Sequence, residues 1–171
     1  VNGAIQAYEL AVTLGDRRPE VLERLTLHLY RTGEYDRAQQ VIDRLYSGDG
    51  DLSVGAESLA ISTAVKRQRI EDALVIARRS VEAHRNEVER RLWLYNVLLA
   101  AENPTEAASV LEEAREDFPD DELVWNAQFM HHLRGGLHEA ARELLSQLPP
   151  SIAKDDYRRS LTIARGSEQL G

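Results

Sequence analysis

Residues 92–119 read LWLYNVLLAAENPTEAASVLEEAREDFP. Two apolar-periodic segments flank Asn103-Pro104. In the first, Leu94 and Leu98 are four apart. In the second, Ala107, Leu111 and Ala114 follow at steps of four and three. Such spacings keep side chains on one face of an α-helix. Asn103 is suited to cap a helix N-terminus, and Pro104 fits the first helical position, where its missing N–H costs nothing. Pro119 closes the second segment. The stretch therefore predicts helix, tight turn, helix.

The same pattern recurs on both sides. Ala4, Ala38, Ala73, Ala107 and Ala140 are separated by 34, 35, 34 and 33 residues. Each is followed four residues on by Tyr8, Ile42, Ala77, Leu111 or Leu144. A third position, three further, holds Ala11, Leu45, Ser80, Ala114 or Gln147. Turn chemistry precedes several of these alanines, as in Gly33-Glu34-Tyr35-Asp36 and Gly135-Gly136-Leu137-His138. Upstream of each turn lies another apolar-periodic run, at 21–30, 59–65, 92–100 and 123–133. No helical hairpin of this size buries its apolar face alone, so stacked neighbours must supply the core.

A helix pair returning about every 34 residues, with Ala-x3-(large residue) in its second helix and Pro near its end, resembles the tetratricopeptide repeat, or TPR. The best match is Leu94-Tyr95, Leu98, Ala107, Leu111, Ala114 and Pro119. Trp125, six residues after Pro119, stands where the next repeat's Trp would be. The repeats are degenerate: Tyr95 and Thr26 occupy a position usually held by Gly. The resemblance implies an all-α solenoid of stacked antiparallel hairpins, wound as a right-handed superhelix of about ten helices without β-sheet. It is expected to run as one array over 1–171. Its parts are the second helix of a partial repeat over 1–15, repeats over about 19–51, 54–86, 88–120 and 121–150, and a terminal or capping helix over 154–166. The last full repeat reads one residue short. A chain that opens in mid-repeat is expected to be a segment of a longer protein.

Composition narrows the function. The net charge is −8, from 21 Lys plus Arg against 29 Asp plus Glu. Nucleic-acid binders usually present a basic face, because phosphate neutralisation supplies most of their affinity. The sign here disfavours an RNA-binding helical repeat. Residues 102–122 hold nine acids and one base, a local excess equal to that of the whole chain, and residues 66–91 hold eight bases and five acids. Such runs read most simply as solvated helix faces. Without cysteine there is no disulfide, thiolate zinc site or thiol catalysis. No apolar run approaches the roughly 20 residues that span a bilayer. The compartment is left open between cytoplasm and periplasm.

No catalytic motif stands out. There is no G-x-S-x-G, no phosphate-binding Gly loop and no H-E-x-x-H. The segment Ser47-Gly48-Asp49-Gly50-Asp51 departs from a calcium loop, with Val54 where Gly is needed and Ala60 where the closing Glu should stand. It reads as a turn between repeats. His131, His132 and His138 flank a turn and read as surface or packing residues. Neither a metal nor a cofactor is expected.

The resemblance implies a protein–protein interaction scaffold without enzymatic activity, binding a peptide or protein along the concave face lined by first helices. By the alanine register, that face would carry Glu23, Leu27 and Tyr30, then Ser58, Ser62 and Val65, then Leu92, Asn96 and Leu99, then Trp125, Phe129 and His132. The last two sets are the expected site. Trp125 has two readings: a groove anchor, or the ordinary core Trp if the one-residue shortening lies after the first helix. Carboxylate clamping of a chaperone tail is disfavoured, since only Asn96 fits that pattern. The rival role is an accessory segment of a larger enzyme such as a glycosyltransferase.

Overall fold

The computed structural model describes residues 2–46 and 52–170, without the side chains of residues 2 and 156–158. The segment 47–51, including the acidic loop, lies outside the described residues. Within them are eleven helices and no strand. They are α1 (Asn2–Thr13), α2 (Pro19–Arg31), α3 (Tyr35–Tyr46), α4 (Val54–Lys66), α5 (Ile70–Ala83), α6 (Val88–Ala100), α7 (Pro104–Asp117), α8 (Glu122–Arg134), α9 (His138–Ser146), α10 (Pro150–Ala153) and α11 (Asp156–Leu170). The short α10 was not expected; Pro149-Pro150 starts it, since Pro pre-sets the first helical turn.

Local chemistry fixes the helix starts. Asn103 Oδ1 accepts from the Glu106 N–H at 3.2 Å, and its Nδ2 donates to Glu106 Oε2 at 2.8 Å, closing a reciprocal cap. Asp121 Oδ1 accepts from the N–H groups of Leu123 and Val124, and Ser53 Oγ from that of Ala56. Each satisfies donors that a helix N-terminus leaves unpaired.

The turns inside the hairpins share one device. Gly33, Gln68, Glu102 and Gly136 all have positive φ, at 80°, 59°, 55° and 70°. They fall 35, 34 and 34 residues apart. A left-handed residue there lets the chain reverse within a few residues. Two of the four positions achieve it without glycine, at the steric cost a Cβ brings.

The described residues form two compact units, one within 2–83 together with 100–102, the other within 84–99 and 103–170. In the N-terminal unit α1 packs on α2, α2 on α3 and α4, and α4 on α5. One of its clusters joins Ile5, Leu22, Leu25, Leu29, Val41 and Leu45. In the C-terminal unit Val88, Ala114 and Val124 form one cluster, with Leu92 and Phe118 against it. Trp125, Phe129, Ala141, Ile152 and Leu170 form another. The anchors Ala38, Ala73 and Ala107 are fully buried, as the pattern requires.

The last anchor is corrected. Ala141, not Ala140, is fully buried, while Ala140 is half-buried beside a cleft. Ala107 to Ala141 is 34 residues, matching the 34 from Glu102 to Gly136. The last repeat is therefore not short.

Candidate functional site

That correction moves the first helix of the last repeat by one position. Adding 34 to Leu92, Asn96 and Leu99 gives Asn126, Met130 and Leu133, and the buried positions follow this register, with Arg90, Leu94 and Tyr95 matched by Val124, Gln128 and Phe129. Asn96 and Asn126 are exposed, and Leu92, Leu99, Met130 and Leu133 are half-buried. Leu123, one turn before Asn126, is 47% exposed. The Asn96 amide donates to the Leu92 carbonyl at 2.8 Å, leaving its oxygen outward-capable. Together these residues make a mixed amide and aliphatic face on α6 and α8 of the C-terminal unit.

Three expected residues leave this face. Trp125 and Phe129 are only 7% and 4% exposed. Their rings stack with centroids 5.6 Å apart and planes 4° from parallel. The Trp125 indole N–H donates to the Leu144 carbonyl at 3.1 Å, which ties α8 to α9. Both rings belong to the core beside Ile152 and Leu170. His132 turns to the other side of α8, toward α7 and α9. There a cleft of about 450 Å³ is lined by Leu111, Glu112, Arg115, His131, His132 and Gln147, among others. The physical reason is the one-residue shift, which rotates each assignment by about 100° on the helix.

The electrostatics of that cleft are self-contained. Arg115 is paired with Glu112, whose carboxyl is held below its ordinary range by this bond. Burial lowers the His131 pKa from 6.5, helped by the charges of His132 and Arg134. The Tyr95 hydroxyl meets His131 Nδ1 at 3.2 Å, and burial raises the Tyr95 pKa. His132 Nδ1 is buried without a partner. Among the described residues no group of three or more His, Asp or Glu is placed to hold a metal.

In the N-terminal unit the equivalent face is more polar. Glu23 accepts from Ser53 Oγ at 2.6 Å, and Ser58, Ser62 and Val65 are half-buried. Among the described residues no helix is long and apolar enough to cross a membrane.

A second cavity opens on the α8 face. It measures about 270 Å³ and is lined by Glu122, Trp125, Asn126, Phe129 and Met130 of α8, Ile152 of α10, and Thr162, Arg165, Gly166 and Gln169 of α11. The helix α11 reaches this place because Gly166 has no side chain: a Cβ there would lie 2.6 Å from Leu145 Cδ2.

Comparison with known proteins agrees with the geometry. The tetratricopeptide repeat model matches residues 64–128. Two crystal forms of MamA AMB-1 share the fold. One has 22% identity and a TM-score of 0.56, over 84% of this chain and 85% of that one. The other has 21% identity and a TM-score of 0.57, over 85% and 80%. YrrB, described as a TPR protein with an unusual peptide-binding site, has 19% identity and a TM-score of 0.59, over 97% of this chain and 88% of that one. The chain matches no curated protein. Residues 64–128 are thus similar to the tetratricopeptide repeat family, and the chain has the fold of TPR solenoids.

Proposed function

We propose that this chain is a non-enzymatic scaffold that binds a partner peptide or protein on the first-helix face of its C-terminal unit. The observation carrying this reading is the register-matched strip of Leu92, Asn96 and Leu99 on α6, and Leu123, Asn126, Met130 and Leu133 on α8. Aliphatic anchors spaced along helices, interleaved with amides that pair with a peptide backbone, suit a bound segment. The peptide-binding site in the name of YrrB supports the same class of role. The acidic total favours protein over nucleic acid as the partner.

The test begins with peptides selected by display against the whole chain. Leu99→Asp and Met130→Asp should each weaken the selected peptides by about tenfold or more, roughly 1.4 kcal/mol. Helix content by circular dichroism should hold. Val75→Asp, at an exposed position on α5, is the control and should change nothing. Loss of binding in the control with retention in both strip variants would move the site elsewhere.

A further inference from the structure

The 270 Å³ cavity between α8, α10 and α11 has a composition that selects a ligand. Its floor is apolar: the stacked Trp125 and Phe129 rings with Ile152 beside them. Its rim is polar, made by Asn126, Thr162, Arg165 and Gln169. Arg165 is exposed, and among the described residues no hydrogen bond or ion pair holds it. The other charge on the rim, Glu122, accepts a hydrogen bond from Ser151 Oγ at 3.4 Å. Arg165 is therefore available, whereas Glu122 is hydrogen-bonded and keeps its charge. The size matters too. Whole small-molecule sites occupy about 300–1,000 Å³, and this cavity lies at the lower edge of that range. It has room for a large side chain carried on a longer ligand. Asn126 and Met130 belong both to this cavity and to the strip on α8, so a segment lying on the strip reaches the cavity without a break.

We infer that this cavity is a specificity pocket for an acidic peptide segment, one that seats a large apolar side chain on the Trp125–Phe129 floor and sets a neighbouring side-chain carboxylate against Arg165. The inference rests on the peptide-binding reading and names the chemistry of its ligand. A guanidinium pairs with a carboxylate through charge-assisted bonds, strongest where it is not already engaged. The pocket discriminates by which rim charge the ligand reaches: an acid pairs with Arg165, whereas a lysine there would face a like charge and have only Glu122, elsewhere in the lining, as counter-ion.

The experiment uses the full chain with Trp93→Phe, which leaves Trp125 as the one tryptophan, since the chain holds two. The probes are acetylated, amidated heptapeptides pairing Leu or Phe with Glu at separations of one to three residues. Matched peptides carry Lys for Glu, and a third set has a free C-terminal carboxylate and no internal acid. Binding is followed by Trp125 fluorescence and by anisotropy of a dye on the peptide. The expected result is that Glu peptides shift Trp125 emission and bind at least about tenfold more tightly than their Lys partners. Arg165→Glu should reverse that order while its circular dichroism matches the parent. Equal affinity for Glu and Lys peptides, or a preference unchanged by Arg165→Glu, overturns the pocket. So does binding by the free-carboxylate set alone, or no response at Trp125. If peptides still bind and Leu99→Asp still weakens binding about tenfold or more, the pocket has failed and the groove has not. If Leu99→Asp and Met130→Asp are silent as well, both have failed.

Discussion

The hairpin α4–α5 and the hairpin α8–α9 bring two helices together by opposite means. In α4–α5 the contact surface is made of small residues, with Ala56, Ala60, Ala64, Ala73 and Ala77 all buried. Polar atoms are enclosed with them. Ser80 Oγ donates to Glu57 at 2.9 Å, and Thr63 Oγ1 is buried without a partner. In α8–α9 two aromatic rings fill the space, and a fully buried Ala141 makes room for them. The repeat frame thus specifies where a contact falls, and only loosely how it is filled. Small residues allow close backbones at the cost of little buried apolar area. Rings bury more area but demand small partners nearby.

The strongest test of this contrast is Trp125→Ala. A buried ring lost from a packed cluster costs about 3–5 kcal/mol, read from denaturant midpoints. A cost under about 1 kcal/mol would mean that Trp125 is an exposed anchor after all, and the burial contrast would break. The register can be sharpened by a pair of neighbours. Ala141→Phe should overpack the α8–α9 contact by roughly 1–3 kcal/mol. Ala140→Phe, beside the open cleft, should change stability by less than about 0.5 kcal/mol. A reversed order would restore the 33-residue spacing. The smallest effect belongs to the polar hairpin. Thr63→Val removes a buried hydroxyl that has no partner, and should raise the melting temperature by the equivalent of about 1 kcal/mol. A fall would indicate that the hydroxyl is satisfied in solution.

These contrasts also mark what a linear reading reaches. The helix pairs, the turn at Asn103-Pro104 and the anchors Ala38, Ala73 and Ala107 were readable, because each combines a cap or turn with helical periodicity. The last register was misread for a specific reason. Ala140-Ala141 and Leu144-Leu145 are doublets, so the anchor pattern fits equally well in two phases one residue apart. The better guide was Trp125, six residues after Pro119, which agrees with the 34-residue spacing. The polar side of α8 was opaque for the same reason, since His132 shares the helix with two rings and moves with them. The cavity beside α11 was not legible. It depends on how closely one helix approaches another, and periodicity within a single helix carries no such distance.

Gly166 and Leu145 have a consequence of their own. Although far apart in sequence, they act as one volume: the isobutyl group fills the place where a methyl on residue 166 would stand. Substitution at either should therefore be judged with the other. Gly166→Ala alone forces Leu145 to another rotamer or α11 outward, whereas Gly166→Ala combined with Leu145→Ala hands the missing space from one helix to the next. That pair offers a way to adjust the mouth of a cavity without touching a group that faces its interior apart from Gly166 itself. The width of the cavity is then set by carbon count at a helix crossing, and the chemistry of its rim is left free to vary.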